Sequence, residues 1–211
     1  MTEIIPSIIA KSFAGIKQKV SEAEGLVTWM QVDIMDGRFV PTVSWAVAED
    51  LYELPGKTKI EAHLMVEQPE DILPEWLKYA DRILVHYEST SILPAIAESF
   101  TGHLVELGVV LNIDTPLNVL TTLPDNVKLV QLMSIGKVGY QGEMLDERIF
   151  DRIKTLRKML PDVKISIDGG VTLENARALV EAGADNLIVG SAIWKAENVS
   201  AAIKELQDAI N

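Results

Sequence analysis

In the run MQVDIMDGRFVP, residues 30–41, an amide, a carboxylate and a thioether recur at every second position as Gln31, Asp33 and Met35. In an extended strand these three share one face while Val32 and Ile34 share the other. A carboxylate aimed into a protein interior must be paired, bound to a cation or chemically useful, because burying it alone is costly. His63 and Met65 repeat the two-residue spacing in TKIEAHLMV, Met133 ends VKLVQLM, and Asp168 ends VKISID just before Gly169 and Gly170. Two aspartates facing each other across a bound molecule can remove a proton from carbon on one side and return it on the other, which inverts a stereocentre. A cation held between them would stabilise the enediolate formed on the way.

Such residues act together only if the fold brings them to one place. Eight β-rich runs cover residues 3–10, 28–34, 58–66, 82–88, 108–112, 127–133, 163–170 and 186–190. Helical patterns lie between them. The clearest is the stripe Ile149, Ile153, Leu156 and Leu160, and another is Val199, Ala202, Ile203, Leu206 and Ile210. Ser12 is placed to cap the helix after the first strand, Thr115 and Pro116 open one after the fifth, and Thr172 and Gly183 bracket one after the seventh. Eight alternations without a linker or a shift in composition predict a single (β/α)8 TIM barrel over residues 1–211, with a doubly wound open sheet as the competitor.

Barrel chemistry sits at the C-terminal ends of the strands, which are Ser7, Gln31, Asp33, Met35, His63, Met65, Met133 and Asp168 here. Gly-rich turns after the last two strands, DGGV with Gly169 and Gly170 and VGSAIW with Gly190 and Ser191, are where backbone N–H groups can approach a phosphate. The segment SIGKVGYQGE, residues 134–143, is long enough for a lid hinged at Gly139 and Gly142.

A net charge of −12 repels nucleic acid and anionic lipid, and it obliges any phosphate ligand to find a local cradle of N–H donors. No apolar run approaches the ~18 residues of a membrane span, and the first residues read as a structural element, so a cytoplasmic protein is expected. The absence of cysteine removes disulfides, thiolate metal sites and cysteine nucleophiles.

The segments PSIIAKSF, VDIMDGRFVP, HLMVEQPE, VHYE, GVVLN, SIDGGVTLENA and EAGADNLIVGSAIW, in this order, give the chain a full-length resemblance to the ribulose-phosphate 3-epimerase family. The resemblance implies interconversion of D-ribulose 5-phosphate and D-xylulose 5-phosphate, with Asp33 and Asp168 as the acid/base pair. It also implies a divalent metal (Mg, Mn, Fe or Zn) held by Asp33, Asp168 and His63. Ser7 would contact substrate hydroxyls, Met35, Met65 and Met133 would cap the enediolate, and phosphate would rest on Gly169, Gly170, Gly190 and Ser191. A homo-oligomer is implied by resemblance alone. Gln31 stands where the family pattern has a metal-binding histidine. An amide oxygen is a harder ligand than imidazole, so this set disfavours zinc relative to magnesium or manganese, or holds no metal. The lid also departs from the family's usual NPGFGGQ-like loop.

These departures keep two rivals open: a 3-epimerase of another ketose phosphate, such as a hexulose 6-phosphate, and a non-catalytic sugar-phosphate-binding homologue. Outside the site, Glu61 lies one layer below His63 and suits a structural ion pair. His86, on a face with Glu88, suits a packing or supporting role, and His103 falls in a helical segment.

Overall fold

The computed structural model of the chain describes residues 2–140 and 142–211. Eight parallel strands follow one another around a closed barrel: β1 (Glu3–Ile8), β2 (Trp29–Met35), β3 (Lys59–Met65), β4 (Arg82–His86), β5 (Glu106–Leu111), β6 (Leu129–Met133), β7 (Lys164–Asp168) and β8 (Asn186–Val189). β8 pairs back onto β1, with Ile188 opposite Ile5, and this closure makes the fold a (β/α)8 TIM barrel rather than an open sheet. Each of the eight runs read as a strand overlaps one, with β2 extending one residue past its run to Met35 and β5 starting two residues before its run at Glu106.

The helices are α1 (Phe13–Ala23), α2 (Leu73–Trp76), α3 (Leu93–Ser99), α4 (Arg148–Met159), α5 (Leu173–Ala182), α6 (Ser191–Trp194) and α7 (Val199–Ile210). Local signals set several of their ends. The Ser12 side chain accepts from the Gly15 N–H ahead of α1, Thr172 and Asn175 form a capping box at α5, and Gly183 ends α5 at φ 119°. The α4 stripe buries Ile149, Ile153 and Leu156, while Leu160 falls just past the helix end.

Three expectations are corrected. After β5 there is only a 3-10 turn, Leu117–Thr122, with Pro116 in the cap position. β-branched Val119, Thr121 and Thr122 followed by Pro124 leave no room for a full helix, and the Thr115 hydroxyl donates to Glu88 instead of capping. His103 lies in the turn after α3, just past Gly102 at φ 85°, not in a helix. β4 stops at His86, so Glu88 belongs to a 3-10 turn, Tyr87–Ser89, although its carboxylate folds back to that histidine.

Outward-facing strand residues such as Val32, Ile34, Leu64, Val109 and Leu132 join one large cluster with the helices. The inward faces carry an unusual amount of polarity for a barrel, with Gln31, Glu61, Arg82, Gln131, Ser166 and Asn186 all buried. Most of their polar atoms are paired, although one side-chain oxygen each of Gln31, Glu61 and Gln131 has no hydrogen-bond partner. At the end of the barrel away from the strand C-termini, Arg82 donates to Glu61 Oε2 at 2.7 Å and to Glu106 at 2.8 Å, and lies 3.9 Å from the centre of the Trp29 ring. Asn186 donates to Ser166 at 3.0 Å. Gly108 leaves space on β5, since a Cβ there would stand 2.4 Å from the Leu84 side chain.

The Arg82–Glu61 pair is a plug whose two charges depend on each other. Arg82→Ala should destabilise the fold by about 3–5 kcal/mol in urea titration, because Glu61 is left buried without its counter-ion. Pairing Arg82→Met with Glu61→Leu should recover most of that loss.

Candidate active site

Strand register does the first part of the positioning. Asp33 on β2 lies directly opposite His63 on β3, and Asp168 on β7 lies opposite Met133 on β6. Loops hold these strand ends in place. Ser44 accepts from the Met35 N–H at 2.9 Å and donates to the Asp33 carbonyl at 2.7 Å. Trp194 on α6 donates to the Ser7 carbonyl at 2.6 Å, tying the last βα unit to the first.

The four polar side chains of the site converge on one nitrogen. Gln31 Nε2 donates to Asp33 Oδ1 and to Asp168 Oδ2, each at 2.8 Å, and lies 3.2 Å from His63 Nδ1. His63 Nδ1 is itself 3.0 Å from Asp33 Oδ1 and 3.5 Å from Asp168 Oδ2. Gln131 adds a second amide donor to Asp168 Oδ2 at 3.0 Å. Among the described residues no hydrogen bond reaches the other carboxylate oxygens, Asp33 Oδ2 and Asp168 Oδ1. Both aspartates line the open cleft at the strand C-termini.

Most of the residues read from the sequence meet at this cleft: Ser7, Asp33, His63, Met65, Met133, Asp168, Gly169, Gly170, Gly190 and Ser191, with Gly139 and Gly142 at the mouth. Gln31 and Met35 do not form its wall. Gln31 lies fully buried beneath the aspartates, and Met35 packs behind Met65 against Val40. Of the expected lid, Gln141 lies outside the described residues, while Tyr140 and Glu143 line the cleft. Gly170, at φ 66°, is required by close approach: a Cβ there would stand 2.4 Å from the Leu145 backbone nitrogen. Gln131 was missed, although the alternation that marks Met133 puts it two residues earlier on the same inward face.

Burial dominates the electrostatics. It pushes Asp168 up to about 7, helped by the charge of Asp33 and opposed by His63 and the Gln31 hydrogen bond. Burial opposes charge on His63, yet its hydrogen bond to Asp33 and the charges of both aspartates outweigh this and hold its pKa above the usual value. Behind it, burial pulls His86 down to about 4.

Asp33, His63 and Asp168 each offer a ligand atom, all within 4.8 Å of one another. The spacings of 2.8–3.5 Å among Gln31 Nε2, His63 Nδ1 and the nearer carboxylate oxygens suit adjacent positions around a divalent ion with bonds of about 2.1 Å. Gln31 Oε1 is buried without a partner. Turning the amide over would exchange the two atoms and present that oxygen as a fourth ligand, so the residues fit a hard divalent cation.

The profile of the ribulose-phosphate 3 epimerase family matches residues 3–194. The chloroplastic ribulose-5-phosphate-3-epimerase of Arabidopsis thaliana is 35% identical over 213 residues, covering 97% of this chain and 75% of its own. The ribulose-phosphate 3-epimerase of Bacillus subtilis is 31% identical over 219 residues, covering 98% and 99%. In fold, the crystal structure of KGPDC from Streptococcus mutans superposes with a TM-score of 0.75 at 16% identity, over 100% of this chain and 97% of that one. No helix among the described residues is long and apolar enough to cross a membrane.

A carboxyl whose folded pKa lies above its unfolded value favours the fold at low pH and loses that contribution as pH rises through the folded value. Asp168→Asn should therefore gain stability relative to the parent by roughly 2 kcal/mol between about pH 5 and pH 8, read from denaturant midpoints. An equal difference at both pH values would contradict the raised Asp168 pKa.

Proposed function

The chain belongs to the ribulose-phosphate 3-epimerase family, and from that membership we propose that it interconverts D-ribulose 5-phosphate and D-xylulose 5-phosphate by exchanging the C3 proton between Asp33 and Asp168. It is an epimerase of sugar phosphates. The observation that carries the finer reading is the sharing of the Gln31 amide by the inner oxygens of the two aspartates, which leaves one outer oxygen on each free to meet substrate. A ketose lying between them would offer one face of C3 to each carboxyl group. Removal of the proton adjacent to the ketone gives an enediolate, and delivery from the opposite side gives the other epimer. Such an exchange needs one aspartate protonated while the other is not. A carboxyl near pH 7, as at Asp168, can fill either role and so serve both directions.

Asp33, His63 and Asp168, with Gln31 turned to present Oε1, would hold a divalent ion whose charge supports the negative charge developing on the substrate oxygens. With Nε2 inward, Gln31 links the same aspartates by hydrogen bonds. Ser7 would meet a hydroxyl, Met65 and Met133 would give the flat enediolate a polarizable, water-poor wall, and the turns at Gly169–Gly170 and Gly190–Ser191 would receive the phosphate.

Asp33→Asn and Asp168→Asn should each lower kcat on D-ribulose 5-phosphate by about a thousandfold or more while inorganic phosphate still binds. Solvent deuterium should enter at C3 only with the parent enzyme. A panel of ketose phosphates that includes a hexulose 6-phosphate fixes the sugar, and failure to exchange with any of them would leave a binding protein. Gln31→His should raise zinc affinity about tenfold or more in dialysis, since imidazole suits zinc better than an amide oxygen. Unchanged zinc affinity would remove Gln31 from the ligand set.

A further inference from the structure

The polar chain continues behind His63. Its Nε2 lies 2.9 Å from His86 Nε2, with the two rings edge to edge, nearly coplanar at 18° and 5.1 Å between centroids. His86 Nδ1 lies 3.2 Å from Glu88 Oε2, and Phe39 packs against the His86 ring at 4.8 Å. The other oxygen of Glu88 accepts from the Asn112 N–H at 2.8 Å and from the Thr115 hydroxyl, so the carboxylate is anchored to the loop after β5. Both histidines are fully buried, and neither the proposed proton transfer nor the phosphate cradle uses His86 or Glu88.

We propose that Glu88 and His86 are positioning residues that fix the tautomer and direction of His63, so that its Nε2 carries a hydrogen and its Nδ1 faces Asp33 and Asp168. The hydrogens leave one consistent arrangement for a neutral His86. Glu88 Oε2 can only accept, so the hydrogen in its contact with His86 resides on Nδ1. The ring's other nitrogen is then bare, and the hydrogen between the two imidazoles must come from His63 Nε2. The reverse arrangement sets a bare Nδ1 lone pair against a carboxylate at 3.2 Å. With Nε2 committed, His63 Nδ1 is the atom presented to the aspartates: in the doubly protonated ring it donates to Asp33 at 3.0 Å, and in the neutral ring it is the bare nitrogen that can bind a cation. The device spans three elements, β3, β4 and the turn after β4, and of these only β3 lines the cleft.

The chain has three histidines, so isotope-labelled histidine and long-range proton–nitrogen correlation on the whole protein can resolve each ring, with His103→Gln assigning the exposed one. The expected spectrum has His63 protonated at Nε2 and His86 protonated at Nδ1 alone. A hydrogen on His86 Nε2 would overturn the proposal, and this measurement needs no variant in the chain of contacts. In kinetics, His86→Phe and Glu88→Leu should lower kcat about 10–100-fold with KM changed less than about threefold, while His86→Gln, whose amide oxygen can accept from His63, stays within about fivefold of the parent. Parent-like kcat in soluble His86→Phe would also refute it. The kinetic arm rests on the epimerase reading, whereas the spectrum does not. An inactive parent with the expected tautomers would therefore refute the activity and leave the positioning intact.

Discussion

Two carboxylates at the open end of a closed barrel, short of water and close enough to repel, form an arrangement that must be held together against its own charge. The Gln31 amide does so by donating one hydrogen to each, and the rest of the site is arranged around that contact. Asp33 can reach it because Gln31 is two residues earlier on the same strand face. Asp168 can reach it because closure through β8 and β1 brings β7 within three strand steps of β2. His63 completes the set through its direct register with Asp33. A slip of one residue in β2 would turn Gln31 and Asp33 toward the helices and Val32 and Ile34 into the barrel. The site therefore depends on register as much as on residue identity.

Polarity inside the barrel falls into layers. Farthest from the cleft, Arg82 compensates Glu61 and packs on Trp29. Above it, Gln31 and Gln131 aim amide hydrogens upward at the aspartates, and each keeps a buried oxygen without a partner. Next come the two carboxylates and His63, and above them the apolar rim of Met65, Met133 and Ile135. The positive charge of Arg82 is committed to the lower layer, so it does not neutralise the pair at the mouth. This is why burial and mutual repulsion can move Asp168 as far as about 7.

Much of this was legible in the sequence because it follows from period-two alternation. Eight strands, the inward set Gln31, Asp33 and His63, and the caps at Ser12, Thr172 and Gly183 are local signals that tertiary packing did not override. What escaped depends on contacts across the chain. Whether Leu117–Thr122 completes a helix was settled by its shortness and by Pro124, while Thr115, which looked like a cap, was drawn to Glu88. Met35 has the right face and spacing, yet the loop residue Val40 covers it. The partners of His86 could not be read, since a 2.9 Å contact between imidazoles on neighbouring strands depends on register and rotamer, neither of which one sequence displays.

The amide at position 31 also changes what the constellation requires in order to exist. A neutral imidazole has one N–H and can donate to one acceptor, so a histidine there would leave one inner carboxylate oxygen facing a lone pair unless a cation lay between them. The amide nitrogen has two hydrogens, placed to satisfy both aspartates together. Turned over, it offers a neutral oxygen that a hard ion can use. The first orientation holds the two aspartates together by hydrogen bonding alone, and the second would give up those two bonds for a coordination bond. Were a cation to enter, turning Gln31 toward it would give up two charge-assisted hydrogen bonds, where a neutral histidine donating its single N–H would give up one.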